Sequence, residues 1–193
     1  DALLADIVRQ MHRRYPQVGI DLLLVSHYVD LVAEGVDVAI RAGSLKDSTL
    51  IAKPVGMARW VPFASPDYLA SAPPLDSPQA LRHHCCLQFT PLGKESWTLN
   101  GPAGSVTVPL PGLVMINDVR VIRAMTLAGE GVALLPAYLC RAECAAGSLQ
   151  RLLPAWHAKA DPVHLVYPRQ RFMPPKLRAF IDLAGEVLAG CLE

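Results

Sequence analysis

The stretch Gly129-Glu130-Gly131-Val132-Ala133-Leu134-Leu135-Pro136 carries the clearest structural signal in this chain. Its two glycines predict a tight turn, and the apolar run after them has the length of a buried strand. Apolar side chains recur at helical spacing through residues 118–128, so the glycines lie between a helix and a strand. A dinucleotide-binding glycine loop has the reverse order, with the strand first. The stretch therefore predicts a helix-to-strand turn in an α/β protein.

Helix and strand patterns alternate over the rest of the chain. Apolar residues recur at helical spacing through residues 3–11 until Pro16, and residues 20–25, apolar except for Asp21, form a run typical of a strand buried on both faces. The helix, strand, helix, strand order that begins here is that of a parallel α/β sheet. The other predicted elements are a helical turn at 30–34 closed by Gly35, strands at 36–40, 58–64, 86–89, 112–116, 132–135 and 163–167, a hairpin from 96–99 and 105–108, and helices at 66–70, 77–81, 118–128, 138–146 and from Pro174 onward.

Composition predicts a folded domain that does not itself bind DNA. A hydrophobic fraction of 52% with 18% charged residues is that of a globular protein, and a net charge of +1 gives no electrostatic footprint for phosphates. No apolar run is long enough for a membrane span, and no secretory signal is visible. Five scattered cysteines suit reduced cytosolic thiols better than a disulfide framework.

The order of elements predicts two α/β lobes. The C-terminal strand and helix return to the first lobe, which places lobe I at residues 1–62 plus 163–193 and lobe II at residues 63–162. Two strands then cross between the lobes, near residues 61–64 and 161–163. Such a fold has an interlobe cleft at the carboxyl ends of its strands, where small ligands usually bind.

Polar residues that follow the predicted strands are the candidate ligand contacts. Ser26 and His27 follow one strand, and Arg41, Ala42 and Gly43 follow the next. Arg41 has two readings: it clamps a carboxylate bidentately, or it pairs with Asp37 or Asp47.

Three further candidates lie where helices begin. Asn117 and Asp118 precede a predicted helix, where they either cap it alone or cap it and contact a ligand. Ser65 before Pro66 is more simply read as a helix cap.

Metal binding and catalysis are both disfavoured. His83-His84-Cys85-Cys86 lacks the ligand spacing of a zinc site, and Cys140 and Cys144 read as helix-packing thiols. No nucleophile elbow or phosphate-binding loop is present. The sequence thus predicts no metal, no cofactor and no enzymatic activity.

Five segments in order resemble the effector-binding domain of LysR-type transcriptional regulators, namely residues 30–43, 63–69, 129–136, 166–169 and 174–181. The resemblance covers nearly the whole chain. It implies a periplasmic-binding-protein-like (type 2) fold and an effector-sensing role in a cytoplasmic regulator. That regulator would bind DNA through a winged helix-turn-helix absent from this chain and would form a homodimer or homotetramer. The family pattern begins with a strand that lies ahead of Asp1, so a first strand of lobe I is expected to be missing here.

The resemblance also implies a ligand site for a small metabolite, often a carboxylate or an aromatic compound. The implied site residues are Ser26, His27, Arg41, Ala42, Gly43, Ala64, Ser65, Phe89, Thr90, Asn117, Asp118, Val132, Ala133 and Tyr167. Two alternatives share the two-lobed fold: a solute-binding protein of a transport system, and an enzyme that would need a cofactor-linked Cys or a catalytic carboxylate pair in the cleft.

Overall fold

The structure, a computed structural model, describes residues 2–25, 28–45, 49–93, 95–110 and 114–192. The chain forms two compact units, which we call unit 1 (Asp1–Ala58 with Asp161–Glu193) and unit 2 (Arg59–Ala160). Two long strands, β2 (Leu50–Ala64) and β9 (Lys159–Pro168), each contribute residues to both units.

The helices of unit 1 are α1 (Ala2–Arg14) and α5 (Pro175–Cys191), and they contact each other. Helix α1 buries Ile7 and Met11, one turn apart, and Pro16 follows its end. Both helices predicted from the spacing of apolar residues are confirmed.

Strand β1 (Ala39–Ala42) of unit 1 pairs antiparallel with β9, with Ala42 opposite Val163. The predicted helical turn before β1 is confirmed. The Asp30 carboxylate accepts hydrogen bonds from the backbone N–H groups of Val32 (3.0 Å) and Ala33 (3.2 Å), and Gly35 closes the turn at φ +64°.

The strand predicted at residues 20–25 is wrong. In the part of the chain that the structure describes, this run has no strand partner, and Leu22, Leu23 and Leu24 are 50%, 58% and 58% exposed. An apolar run signals a capacity for burial, but a strand also needs a neighbour to complete its hydrogen-bond ladder. Sequence periodicity indicates whether a segment can be buried, but it does not indicate whether the segment has a neighbouring strand.

Unit 2 is built on a mixed sheet. Strands β6 (Val114–Ile116) and β7 (Val132–Pro136) each run parallel to β3 (Cys86–Phe89), whereas the unit 2 part of β2 is antiparallel to β7. Helix α3 (Val119–Leu127) contacts β3 and β7 and buries Ile122 in a core with Leu87 and Leu135. The predicted parallel order therefore holds for three strands of unit 2, while the β1–β9 pair of unit 1 is antiparallel.

A second core in unit 2 lies under the predicted hairpin, which is confirmed as β4 (Ser96–Gly101) and β5 (Gly104–Pro109). Trp97 and Leu99 of β4 are buried there with Leu134 of β7. The shorter elements are α2 (Pro66–Ser71), α4 (Arg141–Ala145), β8 (Gln150–Arg151) and 3₁₀ turns at Pro78–His83, Thr90–Leu92 and Ala137–Cys140. None of the described helices is long and apolar enough to cross a membrane.

Candidate effector-binding residues

One edge of the unit 2 sheet gathers four of the residues selected from the sequence. Parallel strands β3 and β6 end in register, with Phe89 opposite Ile116, so Thr90 and Asn117 follow at the same edge. Pro136 ends β7 opposite Trp60, which places the start of the unit 2 part of β2 at this edge as well. We call Trp60, Phe89, Thr90, Asn117 and Asp118 the unit 2 edge.

An aromatic pair forms part of the unit 2 edge. The rings of Trp60 and Phe89 stack with centroids 5.2 Å apart and an interplanar angle of 14°. Both side chains are half-buried. Sequence reasoning selected Phe89 and missed Trp60, although an aromatic residue on a predicted crossing strand was an available signal.

Asp118 is the N-cap of α3. Its carboxylate accepts hydrogen bonds from Arg120 at the backbone N–H (2.8 Å) and at side-chain Nε (3.0 Å). Hydrogen bonding from the Arg120 side chain lowers the pKa of Asp118 to about 2. The capping role considered from the sequence is therefore present. Because Arg120 also offsets the carboxylate charge, Asp118 opposes an anion near this helix start less than an unpaired Asp would.

Four other selected residues lie at the opposite end of the unit 2 strands. Val132 is opposite Cys86 and Ala133 is opposite Phe63, and Ala64, Val132 and Ala133 have no exposed surface. Ser65 is 2% exposed and accepts a hydrogen bond from the Tyr68 backbone N–H as the cap of α2. The structure therefore does not bring these four residues together with the unit 2 edge.

The Gly129–Gly131 turn that opened the sequence argument packs beside these buried residues. Gly129 has φ +83°, and a Cβ there would lie 3.6 Å from Ser65 Oγ. Gly131 has φ +155°, and a Cβ there would lie 2.4 Å from the Cys85 carbonyl oxygen. That same oxygen accepts a hydrogen bond from the Val132 N–H at 2.8 Å. The helix-to-strand turn is confirmed, and its glycines allow close backbone packing.

In unit 1, Arg41 and Ala42 end β1 beside the first unit 1 residues of β9. The Gly43 N–H donates to the Pro162 carbonyl oxygen at 2.9 Å, and Gly43 has φ +96°. Asp161, a buried carboxylate, has its Oδ1 3.8 Å from the position a Gly43 Cβ would take. Sequence reasoning treated this segment only as a crossing and missed Asp161 as a neighbour of the site. We call Arg41, Ala42, Gly43 and Asp161 the unit 1 edge.

Tyr167 lies away from the unit 1 edge. It follows Val166, which is opposite Ala39 at the other end of β1, and it is 9% exposed. The two remaining selected residues, Ser26 and His27, lie outside the described residues.

Arg41 has partners that the sequence did not suggest. Its guanidinium carbon lies 4.0 Å from the centroid of the Tyr28 ring, and its Nη2 donates to the Val29 carbonyl oxygen at 2.5 Å. Of the acidic partners considered earlier, Asp47 lies outside the described residues. The side chain of Arg41 is half-buried.

The His83–Cys86 segment has a structural explanation. His84 is 4% exposed, its Nδ1 lies 3.2 Å from the Tyr68 hydroxyl oxygen, and that oxygen accepts from the Cys85 N–H at 3.0 Å. Burial lowers the pKa of His84. Among the described residues, no group of three or more His, Cys, Asp or Glu side chains could hold a metal ion. Cys140 is buried in a core, as a packing thiol would be, whereas Cys144 is exposed.

Comparison with known proteins identifies the family. The LysR substrate binding domain family matches residues 1–189, and the chain therefore belongs to that family. It is similar to the HTH-type transcriptional regulator PtxR of Pseudomonas aeruginosa, with 34% identity over 177 residues, which cover 91% of this chain and 57% of PtxR. It is also similar to CrgA of Neisseria meningitidis serogroup C, with 32% identity over 192 residues, 98% of this chain and 64% of CrgA. The chain thus spans less than two thirds of the length of each of these relatives.

Solved structures agree with this family. The regulatory domain of CrgA from Neisseria meningitidis matches with a TM-score of 0.85 at 31% identity, covering 96% of this chain and 92% of that one. The regulatory domain of AphB from Vibrio vulnificus matches with a TM-score of 0.79 at 30% identity, covering 94% and 89%. The periplasmic-binding-protein-like (type 2) fold and the LysR resemblance are confirmed. As predicted, the family and the relatives named above are transcriptional regulators and not enzymes.

Proposed function

We propose that this chain is the effector-sensing domain of a LysR-type DNA-binding transcriptional regulator. A small metabolite binds in the cleft between lobe I (residues 1–62 plus 163–193) and lobe II (residues 63–162). The observation that carries this proposal is the clustering of selected residues within each unit: Arg41–Gly43 lie beside the start of β9 in unit 1, and Phe89, Thr90 and Asn117 lie beside Trp60 of β2 in unit 2. These are the strand ends at which ligands of α/β folds usually bind.

The chemistry of the two edges supports a carboxylate or aromatic effector. Arg41 supplies a planar cation whose fork matches a carboxylate. The Trp60–Phe89 pair supplies an apolar surface on which a ring can stack. Ala64, Ser65, Val132, Ala133 and Tyr167 are buried away from these edges, so in this proposal they support the site and do not form its surface.

The proposed mechanism is a binding switch in a cytoplasmic homodimer or homotetramer. Effector binding changes the arrangement of the lobes and thereby the geometry of the oligomer, which moves winged helix-turn-helix domains supplied outside this chain. The effector shifts that equilibrium only by its differential affinity for the two arrangements. The relatives named above are transcriptional regulators, which favours this function over the solute-binding alternative.

A thermal-shift screen against aromatic and aliphatic carboxylates tests the proposal. A ligand that binds the folded state raises its melting temperature by mass action. We expect a saturable rise in melting temperature with at least one carboxylate. We expect Arg41→Ala to lower the affinity for that carboxylate by about tenfold, because one charge-assisted contact is lost. Arg178→Ala, which removes an exposed arginine on α5, is the matched control and should leave the affinity unchanged. A screen in which no carboxylate stabilises the chain, or in which Arg41→Ala binds as wild type, would contradict the proposal.

A further inference from the structure

We propose that Tyr28 is a positioning residue that holds the Arg41 guanidinium in the orientation that binds the anionic group of the effector. This inference rests on the proposed function, because it takes Arg41 as the residue that contacts the anion. Neither Tyr28 nor Val29 was selected from the sequence as part of the site.

The guanidinium of Arg41 is held from two directions. The guanidinium carbon lies over the Tyr28 ring, 4.0 Å from the ring centroid, and the Val29 carbonyl oxygen accepts a hydrogen bond from Nη2. The two partners are adjacent in sequence but use different interactions, a cation–π contact and a hydrogen bond. Together they restrict the position and the direction of the guanidinium.

The segment that carries Tyr28 is itself anchored. Immediately after Val29, the Asp30 turn is closed by its side-chain hydrogen bonds and by the Val36 N–H, which donates to the Leu31 carbonyl oxygen at 2.8 Å. Leu31 is 2% exposed, so the turn is fixed in the core of unit 1. The contact between Tyr28 and Arg41 thus joins two segments that are each held independently, β1 and the turn.

Tyr28 contributes little to the core itself. Its side chain is 55% exposed, so the ring buries only part of its surface, and that part lies against a charged group. A residue kept only for packing would be placed more deeply. An exposed ring that contacts an arginine instead restricts the arginine side chain before the ligand binds. Less conformational entropy is then lost on binding.

This geometry limits how the effector approaches Arg41. The Tyr28 ring occupies one side of the guanidinium, and one Nη2 hydrogen is taken by Val29. The N–H groups of a guanidinium lie in its plane, and a carboxylate accepts two of them side by side. We therefore infer that the effector presents a carboxylate edge-on to Arg41, with any aromatic ring directed away from Tyr28.

The arginine side-chain resonance of Arg41 gives a direct test. In the absence of ligand, the ring current of Tyr28 should shift the Arg41 Nε–H proton upfield in the wild type and in Tyr28→Phe, which keeps the ring. Tyr28→Leu should lose that shift.

Benzoate serves as the probe for the anion site, with neutral benzamide as the matched control. We expect benzoate to move the Arg41 resonance saturably, and we expect Tyr28→Leu to weaken benzoate binding by about two- to fivefold, the effect of an exposed cation–π contact. Tyr28→Phe should bind within about twofold of wild type.

The outcomes separate this inference from the proposed function. If benzoate binds at Arg41 equally well in wild type and Tyr28→Leu, the positioning role is overturned and the anion site remains. If the ring-current shift is present but saturating benzoate leaves Arg41 unmoved, the anion-binding role of Arg41 is overturned, and the positioning role with it. Equal melting temperatures for the three proteins are expected from the exposure of Tyr28 and would exclude a merely structural effect.

Discussion

Gly131 combines a backbone conformation and a close neighbour that other residues do not accept. Its φ of +155° is rare for L-residues, and an added Cβ would lie 2.4 Å from the Cys85 carbonyl oxygen, a backbone atom that cannot move aside cheaply. The turn between α3 and β7 therefore depends on glycine at this position for a local steric reason. This steric requirement explains why the sequence of the turn gives a clear structural signal, although the turn lies at the opposite end of β7 from the unit 2 edge.

We predict that Gly131→Ala lowers the free energy of unfolding by about 1–3 kcal/mol, the usual effect of forcing an extra carbon into a packed region. Denaturant unfolding followed by circular dichroism measures it. Gly190→Ala on α5 is the control: nothing lies within 4 Å of its added Cβ, and it should be neutral or stabilising by about 0.5–1 kcal/mol. A Gly131→Ala protein as stable as wild type would refute the steric account.

His84 makes the stability of unit 2 depend on pH. The Tyr68 hydroxyl oxygen accepts from the Cys85 N–H and lies 3.2 Å from His84 Nδ1, and either Tyr68 or His84 can be the donor of the hydrogen bond between them. Protonation of His84 would leave a charge in a buried site. His83 lies next to it and is exposed, while Cys85 and Cys86 are the thiols on its other side.

Burial lowers the pKa of His84 in the folded state, so the unfolded state binds the proton more tightly. The stabilising contribution is therefore complete above the unfolded pKa of about 6.5 and is lost as pH falls below it. We predict that chemical unfolding between pH 7.5 and pH 5, both about one unit or more from that value, shows a fall in stability that His84→Gln reduces. His83→Gln should retain most of the fall, because burial is the larger cause of the lowered His84 pKa. An equal pH response in both variants would contradict this assignment.

At the scale of elements, periodicity predicted most helices and strands and failed where a partner was needed. Helix α1 and the β4–β5 hairpin follow from local spacing and turn residues, which is information carried within one segment. Residues 20–25 have the composition of a buried strand but no ladder partner among the described residues. The 138–146 helix divides into a 3₁₀ turn, Ala137–Cys140, and α4.

The candidate site could also be predicted only in part, because contacts between distant segments leave no local pattern in the sequence. Sequence order placed Arg41 and Asn117 after strands, and this located both edges. Ala133 entered the selection through the family resemblance, and sequence order does not reveal that its side chain is fully buried. Tyr28 and Trp60 depend on side-chain contacts that no local pattern encodes.

The exposure of residues 22–25 gives a prediction for this segment. Leu23→Gln should change the free energy of unfolding by no more than about 0.5 kcal/mol, because a half-exposed side chain without a strand partner loses little on substitution. Leu165→Gln on β9, where the leucine is fully buried, should cost at least about 2 kcal/mol. Urea unfolding of the two variants compares them. A large loss for Leu23→Gln would show that the segment is packed in solution.

For the whole molecule, four of the five cysteines, all in unit 2, predict a pattern of thiol reactivity. Cys85 and Cys144 are exposed, whereas Cys86 and Cys140 are buried and burial raises the pKa of each to about 12. In the native protein, a disulfide-exchange reagent should label Cys85 first and then Cys144, since burial also raises the pKa of Cys144. Cys86 and Cys140 should react only after denaturation. Peptide mapping of the labelled sites checks the order, and early labelling of Cys86 or Cys140 would contradict the burial seen here.

The two units also differ in the number of chain segments that form them. Unit 2 is one continuous stretch, whereas unit 1 joins α1 to α5 from the other end of the sequence. A ribosome delivers the N-terminal residues first, at about 5–20 residues per second. Unit 2 can therefore close its core while residues 161–193 are still being made. Helix α1 contacts α5, so this contact forms only after residues 175–191 have been synthesised. A chain that stopped before residue 161 would hold all of unit 2 but would lack the strand and helix that unit 1 takes from residues 161–193.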